Sequence, residues 1–141
     1  MLSQHEIGLD EHRRWFERAA SDSSKCLLVV EESNQPLGFV HFSGVAPGGV
    51  AEWGFYAVPG APKGTGRKLG RAALAHGFAQ LALHKVCGQV LDFNEASIRF
   101  HLGLGFVQEG VLRQQVRIGS AYRDLICFGL LKHEWTMKEE K

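Results

Sequence analysis

A chain of 141 residues has room for one domain with a core of its own, and 45% hydrophobic against 22% charged residues reads as an ordinary globule. Its net charge of +1 argues against a nucleic-acid surface, and no apolar run approaches the roughly 20 residues of a membrane span. Cys26, Cys87 and Cys127 are odd in number, scattered and without metal-ligand spacing, so no metal site is expected; free thiols in a reducing cytoplasm fit better than a disulfide framework, and residues 1–10 carry no signal-peptide pattern.

The spacing of Trp15, Phe16 and Ala19 predicts a helix over 9–20, with Asp10 and Glu11 in its first turn. Residues 26–31 and 37–43 read as a hairpin about the turn 33–36, with Leu37, Phe39 and His41 on one side and Val40 and Phe42 on the other. A glycine-rich loop, 44–49, leads to a strand over 50–58. There Ala51, Trp53, Phe55 and Ala57 share one face, and Glu52, Gly54, Tyr56 and Val58 the other. Glu52 is its only carboxylate.

The next stretch organises the chain. Prolines and glycines over 58–66 interrupt regular structure before a helical pattern that runs to about residue 83, with Gly70, Leu74, Gly77, Phe78 and Leu81 on one stripe. Gly64 and Gly66 let successive backbone N–H groups converge at the positive end of that helix, and Lys63, Arg67 and Lys68 add charge. Residues 63–68, Thr65 included, therefore form an anion cradle suited to a pyrophosphate. A strand over 85–93 follows, parallel to the 50–58 strand across the helix. A short helix over 94–104, capped by Asn94 and closed by Gly105, precedes a hairpin of 106–118 and 122–131 about Gly119-Ser120. These elements specify an α+β domain on a mixed sheet.

Strand, glycine loop and helix in that order resemble the pyrophosphate motif of the GNAT (Gcn5-related) N-acetyltransferases, with Lys63 in the place of an Arg or Gln, Gly66 as the central glycine and Lys68 departing from the usual Gly or Ala. The run from Asn94 to Phe106 is similar to a second GNAT segment, with His101 where many relatives carry a tyrosine. The wording of residues 109–135 is similar to one branch of that family, and that of residues 52–56, 84–91 and 100–101 is most similar to its PseH-type enzymes, which acetylate the 4-amino group of a UDP-linked dideoxy sugar in pseudaminic acid biosynthesis, the route to flagellin glycosylation. Ribosomal-protein N-terminal and spermidine acetyltransferases share that branch.

The resemblance implies one GNAT domain over 1–141: a mostly antiparallel sheet, a splayed central parallel pair and helices on both faces. It also implies an amino-terminal strand and helix ahead of His5, where four residues stand. A homodimer is one way to cover the resulting edge. The cofactor implied is acetyl-CoA, its pantetheine arm against the backbone of Tyr56, Ala57 and Val58, its pyrophosphate at Lys63 to Lys68, with further contacts from Asn94 and Arg99. Asn94 reads equally as a helix cap. Glu52 is the candidate base, or else one half of a salt bridge within the sheet. His101 is the candidate acid, or a satisfied core histidine. His5, His41, Trp53, Tyr122, Arg113 and Arg117 are candidates to line an acceptor pocket for a nucleotide sugar. A polyamine or protein α-amine acceptor is the alternative within enzymes, and a module that binds acyl-CoA without turnover is the alternative outside them.

Overall fold

The computed structural model describes residues 2–3, 6–7, 11–18, 24–57, 60 and 63–139. In chain order these form β1 (Leu2–Ser3), β2 (Glu6–Ile7), β3 (Glu11–Arg18), β4 (Lys25–Glu32), β5 (Gln35–Ser43), β6 (Val50–Ala57), α1 (Thr65–Ala79), β7 (Lys85–Leu91), α2 (Glu95–Leu104), β8 (Val107–Ile118), β9 (Ala121–Leu131) and α3 (Lys132–Glu139). One sheet has the order β1-β3-β4-β5-β6-β7-β9-β8, with β2 also paired to β3. Every pairing is antiparallel except β6 with β7, the two strands joined through α1.

The core lies on one face of this sheet. Leu28, Val30, Val40, Phe42, Ala51, Val86, Phe128 and Leu130 pack there against Leu69, Ala73, Leu74 and Phe78 of α1. Helix α2 reaches the same core through Leu104, and α3 through Trp135, whose ring stacks on Phe78 with centroids 6.4 Å apart. All three described helices contribute buried residues to this core. The opposite face presents Phe39, His41, Glu52 and Tyr56 to solvent.

Three readings of the sequence are corrected. Residues 11–18 form strand β3, paired along its length with β4, where a helix was expected. Trp15 and Phe16 suit a sheet, and three apolar positions were too few to define a helical stripe once a neighbouring strand offered a ladder. Leu37 is buried, away from exposed Phe39 and His41, because it is the extra residue where the β4–β5 register shifts beside Val30 and Glu31. Helix α1 stops at Ala79, and Leu81 lies beyond it. The other boundaries hold closely: Ser33 and Asn34 turn with φ of 53° and 67°, and Asn94 caps α2 by accepting a hydrogen bond from the Ser97 amide at 3.2 Å. Gly105 ends α2 with φ of 102°.

Candidate active site

The parallel ladder is short. It joins Val50 to Lys85, Ala51 to Val86 and Glu52 to Cys87, and there it ends, although β6 continues to Ala57 and β7 to Leu91. Each strand keeps its other neighbour, β5 or β9, so the two diverge and leave backbone N–H and C=O groups facing a gap. Separation therefore begins immediately after Glu52.

A side-chain pair wedges the root of the gap on the helix side. Trp53 Nε1 donates to His101 Nε2 at 3.1 Å, and His101 Nδ1 donates to the Ser97 carbonyl at 2.8 Å. Gly88 makes room for both, since a Cβ there would sit 2.5 Å from His101 Nε2 and 2.9 Å from Trp53 Nε1. Phe106 and Phe128 enclose the imidazole, with ring centroids 4.9 and 5.2 Å from it. His101 is 2% exposed, and burial pushes its pKa below the ordinary histidine value, against the smaller opposite pull of the Ser97 carbonyl. A neutral imidazole bonded in this way has no proton available to a leaving group. The bonding is that of a core histidine, and the acid role suggested by the resemblance finds no support in it.

Beyond the wedge the gap holds a cavity of about 440 Å³, lined by Trp53, Gly54 and Phe55 of β6, Gln89 of β7, and Asn94, Ala96, Ser97, Phe100 and His101 of or beside α2. Phe55 and Phe100 close one wall with ring centroids 4.4 Å apart. Gly54 and Gln89 belong to the opposite sheet face from Trp53 and Phe55, so residues of both faces contribute to the lining. Phe55, Gln89, Phe100 and Gly88 were not among the expected site residues. A glycine inside a strand at position 88 and an aromatic at 55 sharing the Trp53 face were the available signals.

The anion cradle has shifted in character. Thr65, Gly66, Arg67 and Lys68 are the first turn of α1, and residues 63 and 64 precede it as turn. Gly64 takes φ of 90° with open space where a Cβ would stand, and it contributes no capping side chain. The first-turn amides of Gly66 and Arg67 therefore have no partner within the helix, and exposed Lys63, Arg67 and Lys68 surround them. A pyrophosphate fits this arrangement.

The remaining expected residues divide. Glu52 is exposed on the open sheet face at the last rung of the ladder, with no salt bridge among the described residues, and it does not line the cavity. Tyr56 is 48% exposed on that face and packs on Phe39 with ring centroids 5.4 Å apart. Ala57 ends β6, whereas Val58 and His5 lie outside the described residues. Asn94 both caps α2 and lines the cavity; Arg99 lies 3.7 Å from Glu95 on the exposed flank of α2 and lines nothing. The acceptor set proposed for a nucleotide sugar is dispersed. Trp53 is 7% exposed with its N–H committed to His101, while Arg113, Arg117 and Tyr122 sit on the outer part of the β8–β9 hairpin, where Arg117 donates to the Gly119 carbonyl at 3.0 Å. His41 is exposed on β5 beside Gly54.

Cys26, Cys87 and Cys127 form no disulfide, and Cys87, next to Glu52 on the ladder, has its pKa raised by burial against the opposing charge of Lys85. Among the described residues no cluster of His, Cys, Asp or Glu could hold a metal, and no helix is long and apolar enough to cross a membrane.

Comparison with known proteins agrees with this geometry. The family described as the Acetyltransferase (GNAT) domain matches residues 3–107. The SPbeta prophage-derived uncharacterized N-acetyltransferase YokL of Bacillus subtilis is 33% identical over 129 residues, covering 89% of this chain and 72% of that protein. Among solved structures, spermidine N-acetyltransferase from Vibrio cholerae in complex with CoA and spermine superposes with a TM-score of 0.76 at 27% identity, covering 82% of this chain and 70% of that one. The same organism's spermidine/spermine N-acetyltransferase with manganese ions gives 0.76 at 26% identity, covering 84% and 71%. Parted parallel strands, a cavity between them and an uncapped helix start beyond are thus the features of a known family: the chain is a GNAT N-acetyltransferase that uses acetyl-CoA.

Proposed function

We propose that the protein acetylates a small cationic amine, with a polyamine the favoured acceptor. The observation that carries this reading is the exposed carboxylate of Glu52 at the last rung of the parallel ladder, on the same open sheet face as the Phe39–Tyr56 aromatic pair and next to the point where the strands part around the cavity. An ammonium is attracted by such a carboxylate and by aromatic faces. The Vibrio cholerae relatives, spermidine acetyltransferases by name, support the same class. The nucleotide-sugar reading is left without the convergent aromatic and basic set on which it rested.

The chain's groups would divide the work by side of the sheet. The first-turn amides of α1, with Lys63, Arg67 and Lys68, hold the pyrophosphate, and the unpaired edge of β6 at Tyr56 and Ala57 offers hydrogen bonds to the pantetheine arm. Acetyl-CoA supplies a thioester whose carbonyl carbon takes the amine nitrogen as its carbon–sulfur bond breaks, giving an amide and the CoA thiol. Glu52, exposed and outside the cavity lining, serves as an anchor for the ammonium rather than as the base. Phe55 and Phe100 keep water from the cavity wall. A homodimer would cover β8, the outer strand, which exposes Val107, Val111, Leu112 and Ile118; light scattering gives the mass directly.

Turnover of acetyl-CoA against spermidine, an alanyl peptide and a UDP-linked 4-amino sugar tests the acceptor. The highest kcat/KM is expected with spermidine. A preference for the sugar or the peptide overturns the acceptor class, and CoA binding without turnover of any amine makes the protein a binding module.

A further inference from the structure

Glu52 anchors a cation but lies outside the cavity, and His101 is sealed in the core, so neither receives the proton an ammonium must lose before its nitrogen can attack. His41 is placed to do so. It pairs with Gly54 across β5 and β6, and its imidazole lies over that glycine's backbone: a Cβ on Gly54 would overlap Nε2 and stand 2.8 Å from Cε1. Gly54 lines the cavity, and its missing side chain seats the His41 ring, which is not itself part of the lining, over this residue on the open face of the sheet. The register makes Glu52 and Tyr56 the same-face diagonal neighbours of His41 on β6. On β4 the corresponding positions are Lys25 and Val29 about Leu27, and Cys87 of β7 stands beyond Glu52. The titratable and charged groups facing His41 are therefore Glu52, Tyr56, Cys87 and Lys25.

The other imidazoles whose side chains are described lie elsewhere. His76 and His101 are buried, His84 precedes the opposite end of β7, and His133 belongs to α3. No hydrogen bond or ion pair among the described residues occupies the His41 ring. Imidazole is also the side chain whose ordinary titration lies closest to neutrality, which suits a group that takes a proton and returns it to water.

We propose that His41 is the proton acceptor for the amine substrate, resting on the acetyltransferase reading above. Glu52 holds the ammonium on the open face, one N–H proton passes to the free ring nitrogen of His41, and the nitrogen lone pair so released faces the cavity. The imidazolium then gives the proton to solvent, and both atoms and charge balance without a further reactant. Gly54 is the positioning residue, because any side chain there would displace the ring.

The test uses the full chain with CoA, acetyl-CoA and spermidine. His41→Ala is expected to keep the thermal shift given by CoA while lowering kcat on the order of 10²-fold. It should lose the fall in rate as the solution is acidified through the imidazole range, and regain rate in proportion to added imidazole. Gly54→Ala should show a comparable loss, and the double variant should be no slower than Gly54→Ala alone. Independently of turnover, the His41 ring resonances of the wild-type protein bound to CoA should move when spermidine is added. An unchanged rate in His41→Ala, a loss that imidazole does not restore, or a ring indifferent to spermidine overturns the assignment while leaving the acetyltransferase reading standing. A wild-type protein that acetylates no amine removes both.

Discussion

The indole N–H of Trp53 and Nε2 of His101 meet at 3.1 Å on the rung where the β6–β7 ladder gives out, so one hydrogen bond ties the central strand to α2 at the point where the sheet opens. Because His101 Nδ1 is also committed, to the Ser97 carbonyl, the imidazole acts as a strut between strand and helix. Both rings line the cavity that lies beyond this point.

The strut can be removed from either end. Trp53→Phe leaves a buried Nε2 without a donor and should cost about 1–3 kcal/mol. Gly88→Ala pushes a methyl against both rings at once and should destabilise by at least as much. Urea unfolding read by CD gives both values. A Gly88→Ala protein as stable as wild type would mean that the two rings do not require the bare backbone of β7.

Stability should also depend on pH through His101. Its pKa is lowered in the folded chain by burial, so the unfolded chain binds the proton more readily. The stabilisation is therefore fully present above the ordinary histidine value of about 6.5 and is lost as pH falls below it toward the folded value. Urea midpoints for wild type and His101→Gln should show a steeper decline for wild type as pH falls below that value. Parallel curves would assign the acid dependence to other groups.

At the start of α1 the two glycines should separate fold from ligand. Gly64→Ala forces a Cβ into the left-handed region and should cost about 1–2 kcal/mol even without ligand. Gly66→Ala places its methyl 3.7 Å from Phe100, an ordinary contact, and should fold normally. A bulky replacement, Gly66→Trp, is expected to abolish the rise in Tm that CoA gives the wild-type protein. A full rise in that variant would mean that the pyrophosphate binds elsewhere.

Much of this arrangement was legible from local chemistry. Asn94 and Gly105 marked the ends of α2 because capping and left-handed closure depend on single side chains, and alternation separated Ala51 and Trp53 from Glu52, which the structure shows as the buried and the exposed face. Helix α3 carried no comparable signal. Its first turn is fixed by Glu134 accepting from the Leu131 amide at 2.9 Å, and its burial depends on Trp135 meeting Phe78. The assignment of β3 failed for the same reason, since pairing with β4 is decided by the sheet and not by residues 11–18 alone. Within the site, the glycine cradle was visible because glycine spacing is local. The bond between Trp53 and His101 spans 48 residues of sequence, and no periodicity indicates it. Gly54 and Gly88 sit inside strands, and the rings they admit, His41 for the one and His101 with Trp53 for the other, come from separate elements that no local pattern connects to them.

The division of labour on the open face predicts a kinetic signature for Glu52. Its carboxylate is exposed and has no described partner, so Glu52→Gln should leave stability within about 0.5 kcal/mol of wild type. An ammonium drawn to an exposed carboxylate gains about 0.2–1 kcal/mol, which corresponds to at most about a fivefold effect on affinity. The KM for spermidine should therefore rise about two- to fivefold in Glu52→Gln with kcat nearly kept, the pattern of lost uniform binding. Added salt should shrink the difference between the two proteins, because screening weakens the same attraction in wild type. A collapse of kcat with KM unchanged would instead return Glu52 to the role of base and remove the reason for assigning the proton to His41.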